Sequence, residues 1–276
     1  MGFNNKYKKS FFVFGLAATV AVFQGCSEVN FQPSGAAQSL SFGPGCSPVE
    51  LLITDSFERE SVDDRAADSL FGWRKIVNDR GRMVGSSGDR VSARIYSESE
   101  MGPAASGDRA LYFYGRPGSS VHNIYLISEA LPLSDYNQVG IAFKYIPVDL
   151  EMAGSGPEYL RVEVCNSSLA KCGVGNDFGS DGLKSSHWVT VFETSLESDG
   201  TLGSGLNGRN HSLSDWRSQS LVVDLSDLPK DQFVFRFNVL VDEGFFEFKD
   251  GEPILKSGMD DGVILDDVVV AAVNCR

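Results

Sequence analysis

With 276 residues, 42% hydrophobic and 22% charged, the chain has the length for one large domain and the apolar side chains for a core. It sets 24 Lys and Arg against 37 Asp and Glu, a formal net charge of −13, which argues against nucleic acid and anionic lipid as partners and suits cations. A solvated acidic surface that keeps the protein soluble is the commoner meaning of such a number.

The chain opens on MGFNNKYKKS, with Lys6, Lys8 and Lys9 and no acid, followed by FFVFGLAATVAVF (11–23) without a charge. That run is short for a bilayer span and suits the apolar core of a secretory signal. It ends at FQGCS. Gly25 before Cys26 resembles the bacterial lipoprotein lipobox, from which Phe23 and Gln24 depart. The resemblance implies that residues 1–25 are a signal peptide and that Cys26 is acylated, each buried methylene contributing about 0.8 kcal/mol. Ser27, in place of the Asp that favours inner-membrane retention in such lipoproteins, implies the outer membrane. The alternative is an ordinary secretory signal with a coincidental Cys. Cleavage removes three lysines and no acid, taking the charge from −13 to −16.

Residues 26–45 hold the lipidated Cys and a stretch rich in Ser, Gly, Gln and Pro, which reads as a flexible tether. Residues 46–276 form the domain. Its strand signals run in order: VSARIY (91–96), ALYFYG (110–115), SVHNIYLIS (120–128), VGIAFKYI (139–146), YLRVEVC (159–165), HWVTVFET (187–194), SLVVDL (220–225), FVFRFNVLV (233–241) and VILDDVVVAAV (263–273). Strict alternation sets Leu160, Val162 and Val164 against Arg161 and Glu163. It sets Phe233, Phe235, Phe237, Val239 and Val241 against Arg236 and Asn238. A brief helix is expected near RAADSL (65–70). The pattern predicts an all-β fold, a two-sheet antiparallel jelly-roll sandwich.

Five cysteines, less Cys26, leave four. Cys165 and Cys172 flank a short loop, and Cys46 and Cys275 lie near the domain ends. They are paired here as Cys165–Cys172 and Cys46–Cys275, one of three connectivities that sequence allows. The long bridge would add about 4–5 kcal/mol by restricting the unfolded chain.

The ordered landmarks DSFE (55–58), Gly72–Trp73, GDRALYFYG (107–115), YLRVEVC, SHWVTVF, DLSDLP, VFRFNV and ILDDV resemble MAM-like and reelin-like jelly rolls. More distantly they resemble carbohydrate-binding modules of the same shape. The resemblance spans about residues 50–273; the segment 166–186, with its own Cys pair, departs from it. It implies a structural Ca²⁺ between the first and last strands, held by Asp266 with Glu58 or Asp55, with Asp108 as a further ligand and Asp267 contributing its carbonyl or bracing the site; the alternative is that Asp266 pairs with an Arg or caps the edge of the sheet. Simple alternation would put Asp266 on one face with Ile264 and Val268, and Asp267 on the other.

Other motifs are weaker. NDFGSDG (176–182) fails the EF-hand pattern at Gly179. MDDG (259–262) and EFKDGEP (247–253) read as turns. His122, His187 and His211 lack zinc spacing, and no nucleophile elbow, phosphate loop or E-x-D-x-x-E glycosidase strand is present. Trp73, Trp188, Trp216, Tyr112 and Tyr114 are either sugar-stacking or core residues. The loops 97–109 and 196–218 make either a polar binding rim or plain loop. The sequence reading is a non-enzymatic, outer-membrane lipoprotein, on the periplasmic or the surface side. Its Ca²⁺-stabilised domain would bind glycan or an envelope protein. Rival readings are a polysaccharide hydrolase or lyase, and a purely structural envelope protein.

Overall fold

A computed structural model describes residues 42–58, 69–70, 73–79, 82–84, 91–115, 122–148, 150, 152–153, 156–172, 185–195, 211–241, 247–249, 252–254 and 262–275. The signal peptide, Cys26, most of the tether, NDFGSDG and Met259–Asp261 lie outside them. So does the helix expected at 65–70, except Ser69 and Leu70, which are extended.

The strands are β1 (Cys46–Asp55), β2 (Ser69–Leu70), β3 (Trp73–Asp79), β4 (Arg82–Val84), β5 (Val91–Ser97), β6 (Arg109–Gly115), β7 (His122–Ser128) and β8 (Gln138–Val148). They continue as β9 (Met152–Ala153), β10 (Gly156–Pro157), β11 (Tyr159–Cys165), β12 (Trp188–Ser195), β13 (Arg217–Asp224) and β14 (Phe235–Val241). The last are β15 (Glu247–Lys249), β16 (Glu252–Ile254) and β17 (Gly262–Cys275); one helical turn, α1, spans Glu98–Met101.

Two antiparallel sheets form the sandwich. Sheet A runs β13-β8-β17-β6-β5 with β1 also on β17, and sheet B runs β12-β11-β14-β7-β3-β2 with β4 also on β3. Apart from the hairpins β2-β3-β4, β5-β6 and β11-β12, successive strands of the two sheets alternate between the layers, as in a jelly roll. β9 with β10 and β15 with β16 make separate small pairs, the latter on either side of the Asp250–Gly251 dipeptide.

Alternation explains the core. Val139, Ile141, Phe143 and Tyr145 of β8 face Leu160, Val162 and Val164 of β11 and Phe235, Phe237 and Val239 of β14 in one buried cluster. Trp73 lies there too, edge-on to Phe235 at 5.4 Å between centroids. Two smaller clusters cover the outer face of sheet A. One gathers Tyr112, Tyr114, Ile264, Met101 and Ala104, with Tyr96 and Trp216 partly buried against it. The other gathers Phe42, Ala142, Val269, Ala271 and Val273. Phe42 lies directly on Gly140, where an added Cβ would stand 2.3 Å from its ring. Among the described residues the packing thus already includes Phe42, inside the stretch read as tether.

Both expected disulfides are present, Cys46–Cys275 and Cys165–Cys172. The first joins the directly paired ends of β1 and β17.

Candidate functional site

The two adjacent aspartates mark a change of neighbour. β17 runs beside β8 for nearly its whole length. On its other edge Gly262–Leu265 pair with β6, and Val268–Cys275 pair with β1. The changeover falls at Asp266–Asp267, where the register with β8 slips and Asp267 takes φ 49°, a left-handed conformation that Asp tolerates better than bulky residues. The bulge resets the alternation: Ile264 belongs to an outer cluster and Val268 to the inner core. The expectation that Ile264, Asp266 and Val268 share a face is thus corrected, because simple alternation does not survive an extra residue.

Both carboxylates are buried, and one oxygen of each accepts from the loop at 105–106. Ala105 N and Ser106 N donate to Asp266 Oδ2 at 3.0 and 3.1 Å, and Asp267 N donates to Asp266 Oδ1 at 2.7 Å. Ser106 Oγ donates to Asp267 Oδ1 at 2.5 Å. Asp267 Oδ2 faces Lys144 Nζ at 3.1 Å, an ion pair without the alignment of a hydrogen bond. Burial first, then the charge of Asp267, pushes the Asp266 pKa up to about 8, against the pull of its three backbone donors.

Of the other expected ligands, Asp55 and Glu58 are likewise occupied. Asp55 Oδ1 accepts from Phe57 N and Oδ2 from the Trp73 indole, both at 2.9 Å. This turn places Phe57, at φ 54°, in the core. Glu58 accepts from Asp108 N and Arg109 N at 3.1 and 3.2 Å. Asp108 itself is exposed. From the far side, Trp216 Nε1 donates to Pro103 O at 3.0 Å, and His211 Nε2 lies 3.0 Å from the same oxygen. The segment 102–109, rich in Gly, Ser and Ala, is therefore held from three directions.

A calcium ion needs six to eight oxygens directed at one point. Here N–H groups and an ammonium point at the carboxylate oxygens instead. Among the described residues no group of three or more His, Cys, Asp or Glu is placed to hold a metal. As arranged, Asp55, Glu58, Asp108, Asp266 and Asp267 do not fit the ion.

A second constellation lies on the outer face of sheet B. β14 sits between β11 and β7, with Arg236 opposite Glu163 and Asn238 opposite Tyr125. Glu163 Oε2 accepts from Arg236 Nε at 2.7 Å and from Asn238 Nδ2 at 3.0 Å. Asn123 Nδ2 donates to Asn238 Oδ1 at 3.0 Å and to Tyr159 OH at 2.8 Å. The Arg236 guanidinium carbon lies 4.4 Å from the Tyr125 ring centroid and 4.0 Å from that of Trp188. Burial lowers the Arg236 pKa, against the charge and hydrogen bond of Glu163. Its Nη1 is buried without a hydrogen-bond partner.

This ladder opens toward solvent at one end. Asn123 and Tyr159 are half-buried, and Arg161 stacks 3.8 Å from the Tyr159 centroid while its Nε pairs with Glu193 at 2.6 Å. Burial works against the Arg161 charge, but the hydrogen bond and charge of Glu193, with Tyr159 and Glu163, leave its pKa raised. The sequence signal was the set of polar side chains opposite the apolar faces of β11 and β14; which of them touch depends on strand pairing.

The remaining candidates have structural surroundings. Trp73 is core, Trp188 caps Arg236, and Tyr112 and Tyr114 are buried together. His187 Nδ1 lies 3.2 Å from Ser167 Oγ. His122 opens β7.

No family model matches the chain, and no curated protein matches it. Among solved structures it is similar to the K1 cleaved adhesin domain of Lys-gingipain from Porphyromonas gingivalis W83. That match has 15% identity, covers 77% of this chain and 96% of the other, and has a TM-score of 0.40. It is also similar to TmCBM61, solved in complex with β-1,4-galactotriose, at 11% identity, 72% and 86% coverage and a TM-score of 0.36. TmCBM27, a carbohydrate-binding module described for mannan recognition, matches at 14% identity, 77% and 96% coverage and a TM-score of 0.31. At these values the likenesses carry no argument about individual residues.

Proposed function

We propose that the chain is a lipid-anchored envelope protein whose sandwich domain binds glycan, without catalysis, on the outer face of sheet B. The observation that carries this reading is the open end of the ladder, where half-buried Asn123 and Tyr159 stand beside Arg161, braced from below by buried Asn238, Glu163, Arg236, Tyr125 and Trp188. Sugar rings need amide and charged groups for their hydroxyls and aromatic surface for their C–H faces, and few other ligands need both in one row. Asn123 and Tyr159, at the more open end, are the contact residues. Arg161 rests on Tyr159 and must slide aside for a ring to stack there.

The test is a glycan array followed by titration of the best ligand. Wild-type protein binds; Tyr159→Ala and Asn123→Ala each weaken binding on the order of tenfold, the loss of one stacking surface or one hydrogen-bonding group. Neither releases reducing ends on prolonged incubation. Folded protein that binds no glycan, or variants that bind as tightly as wild type, would overturn the assignment; released sugar would replace it with the hydrolase reading.

A further inference from the structure

Lys144 stands in the middle of β8, on a face whose other members are Ala142, Ile146 and Val148. An ammonium amid such neighbours is tolerated only with a partner. Its partner is Asp267 Oδ2 at 3.1 Å, with the two side chains only 12% and 10% exposed. Across the β8–β17 pairing Lys144 lies directly opposite Asp266. One cation therefore sits against the pair of acids at the point where β17 exchanges β6 for β1.

We infer that the Lys144 ammonium is the built-in counter-ion of this junction, so that the sandwich closes here without a divalent metal. The charge bookkeeping supports this. Asp266 is served by three backbone N–H groups and Asp267 by the Ser106 hydroxyl and Lys144. A divalent ion approaching these oxygens would meet N–H hydrogens and an ammonium, all of positive sign. The loop 102–109 takes the place of the ion: it brings donors to the acids and is fastened at its far end by Glu58. The inference is independent of what the outer face of sheet B binds.

The test follows thermal unfolding of the full chain in detergent, with millimolar EGTA or millimolar CaCl₂. Wild-type melting stays the same in both. Lys144→Met leaves Asp267 buried without its partner and lowers the melting temperature, on the order of 5–10 °C. The double variant Lys144→Met/Asp267→Asn removes both charges and recovers at least half of that loss, since the cost lies in the unpaired charge. If the single variant fails to fold and the double one folds, the inference stands. EGTA lowering the wild-type melting point would overturn it, as would a harmless Lys144→Met or a double variant no better than the single.

Discussion

Asp266 carries the strongest electrostatic asymmetry among the described acids. Burial and then the Asp267 charge raise its pKa from 3.8 to about 8. Between those values the folded chain keeps a proton that the unfolded chain has released. Folded-state stability from this group is therefore complete below about pH 4, declines as pH rises, and is gone above about pH 8. Burial and the Asp267 charge set the upper edge of that window, and the slope within it is that of one proton. Asp215 behaves in the opposite sense and in a different window. Its pKa is lowered by hydrogen bonds from Ser212, so its contribution disappears only as pH falls below about 4. Urea midpoints measured from about pH 5 to about pH 8 should fall for the wild-type chain. Asp266→Asn, whatever its overall cost, should flatten that fall; an unchanged slope would assign the titration elsewhere.

β17 organises the elements. It pairs with β8 on one edge and with β6 and then β1 on the other, and the Cys46–Cys275 bridge locks its far end to β1. That bridge spans 229 residues of sequence and the Cys165–Cys172 bridge spans 7. On the loop-entropy model the first restricts the unfolded chain by about 5 kcal/mol and the second by about 2.5 kcal/mol. Replacing Cys46 and Cys275 by Ser should thus lower the urea midpoint about twice as far as replacing Cys165 and Cys172. Equal losses would count against the entropic account.

The same element divides what was legible in the sequence from what was not. β8, β11 and β14 were readable because one face of each is uniformly apolar; β11 was placed to the residue. β1 was not named as a strand. CSPVELLITD is mostly exposed and slips register twice against β17, so alternation has no chance to appear. Asp266 and Asp267 were visible as an anomaly. Their role was not, because a strand changing neighbours leaves no local pattern. The partners of Arg236 were hidden for the same reason: Glu163, 73 residues away, meets it only through the pairing of β11 with β14.

At the scale of the whole molecule the two outer faces have different surroundings. Phe42 and the Cys46–Cys275 bridge bring the N-terminal segment onto the outer face of sheet A, while the polar ladder lies on the outer face of sheet B. A chain anchored at Cys26 would reach its domain through residues 27–41, at most about 50 Å if fully extended. On the proposed lipid anchor, a tether of that length joins the domain on the sheet A side and leaves the outer face of sheet B clear of the joining segment. Anchor and ligand site then act separately, and one substitution divides them. Cys26→Ala should move the expressed protein from the detergent phase to the aqueous phase and abolish labelling by fatty acid. Glycan affinity in solution should stay as it was, because the proposed contacts, Asn123 and Tyr159, lie on β7 and β11. Continued detergent partitioning would defeat the lipid assignment, whereas lost glycan affinity in a folded, soluble variant would mean that the tether takes part in binding.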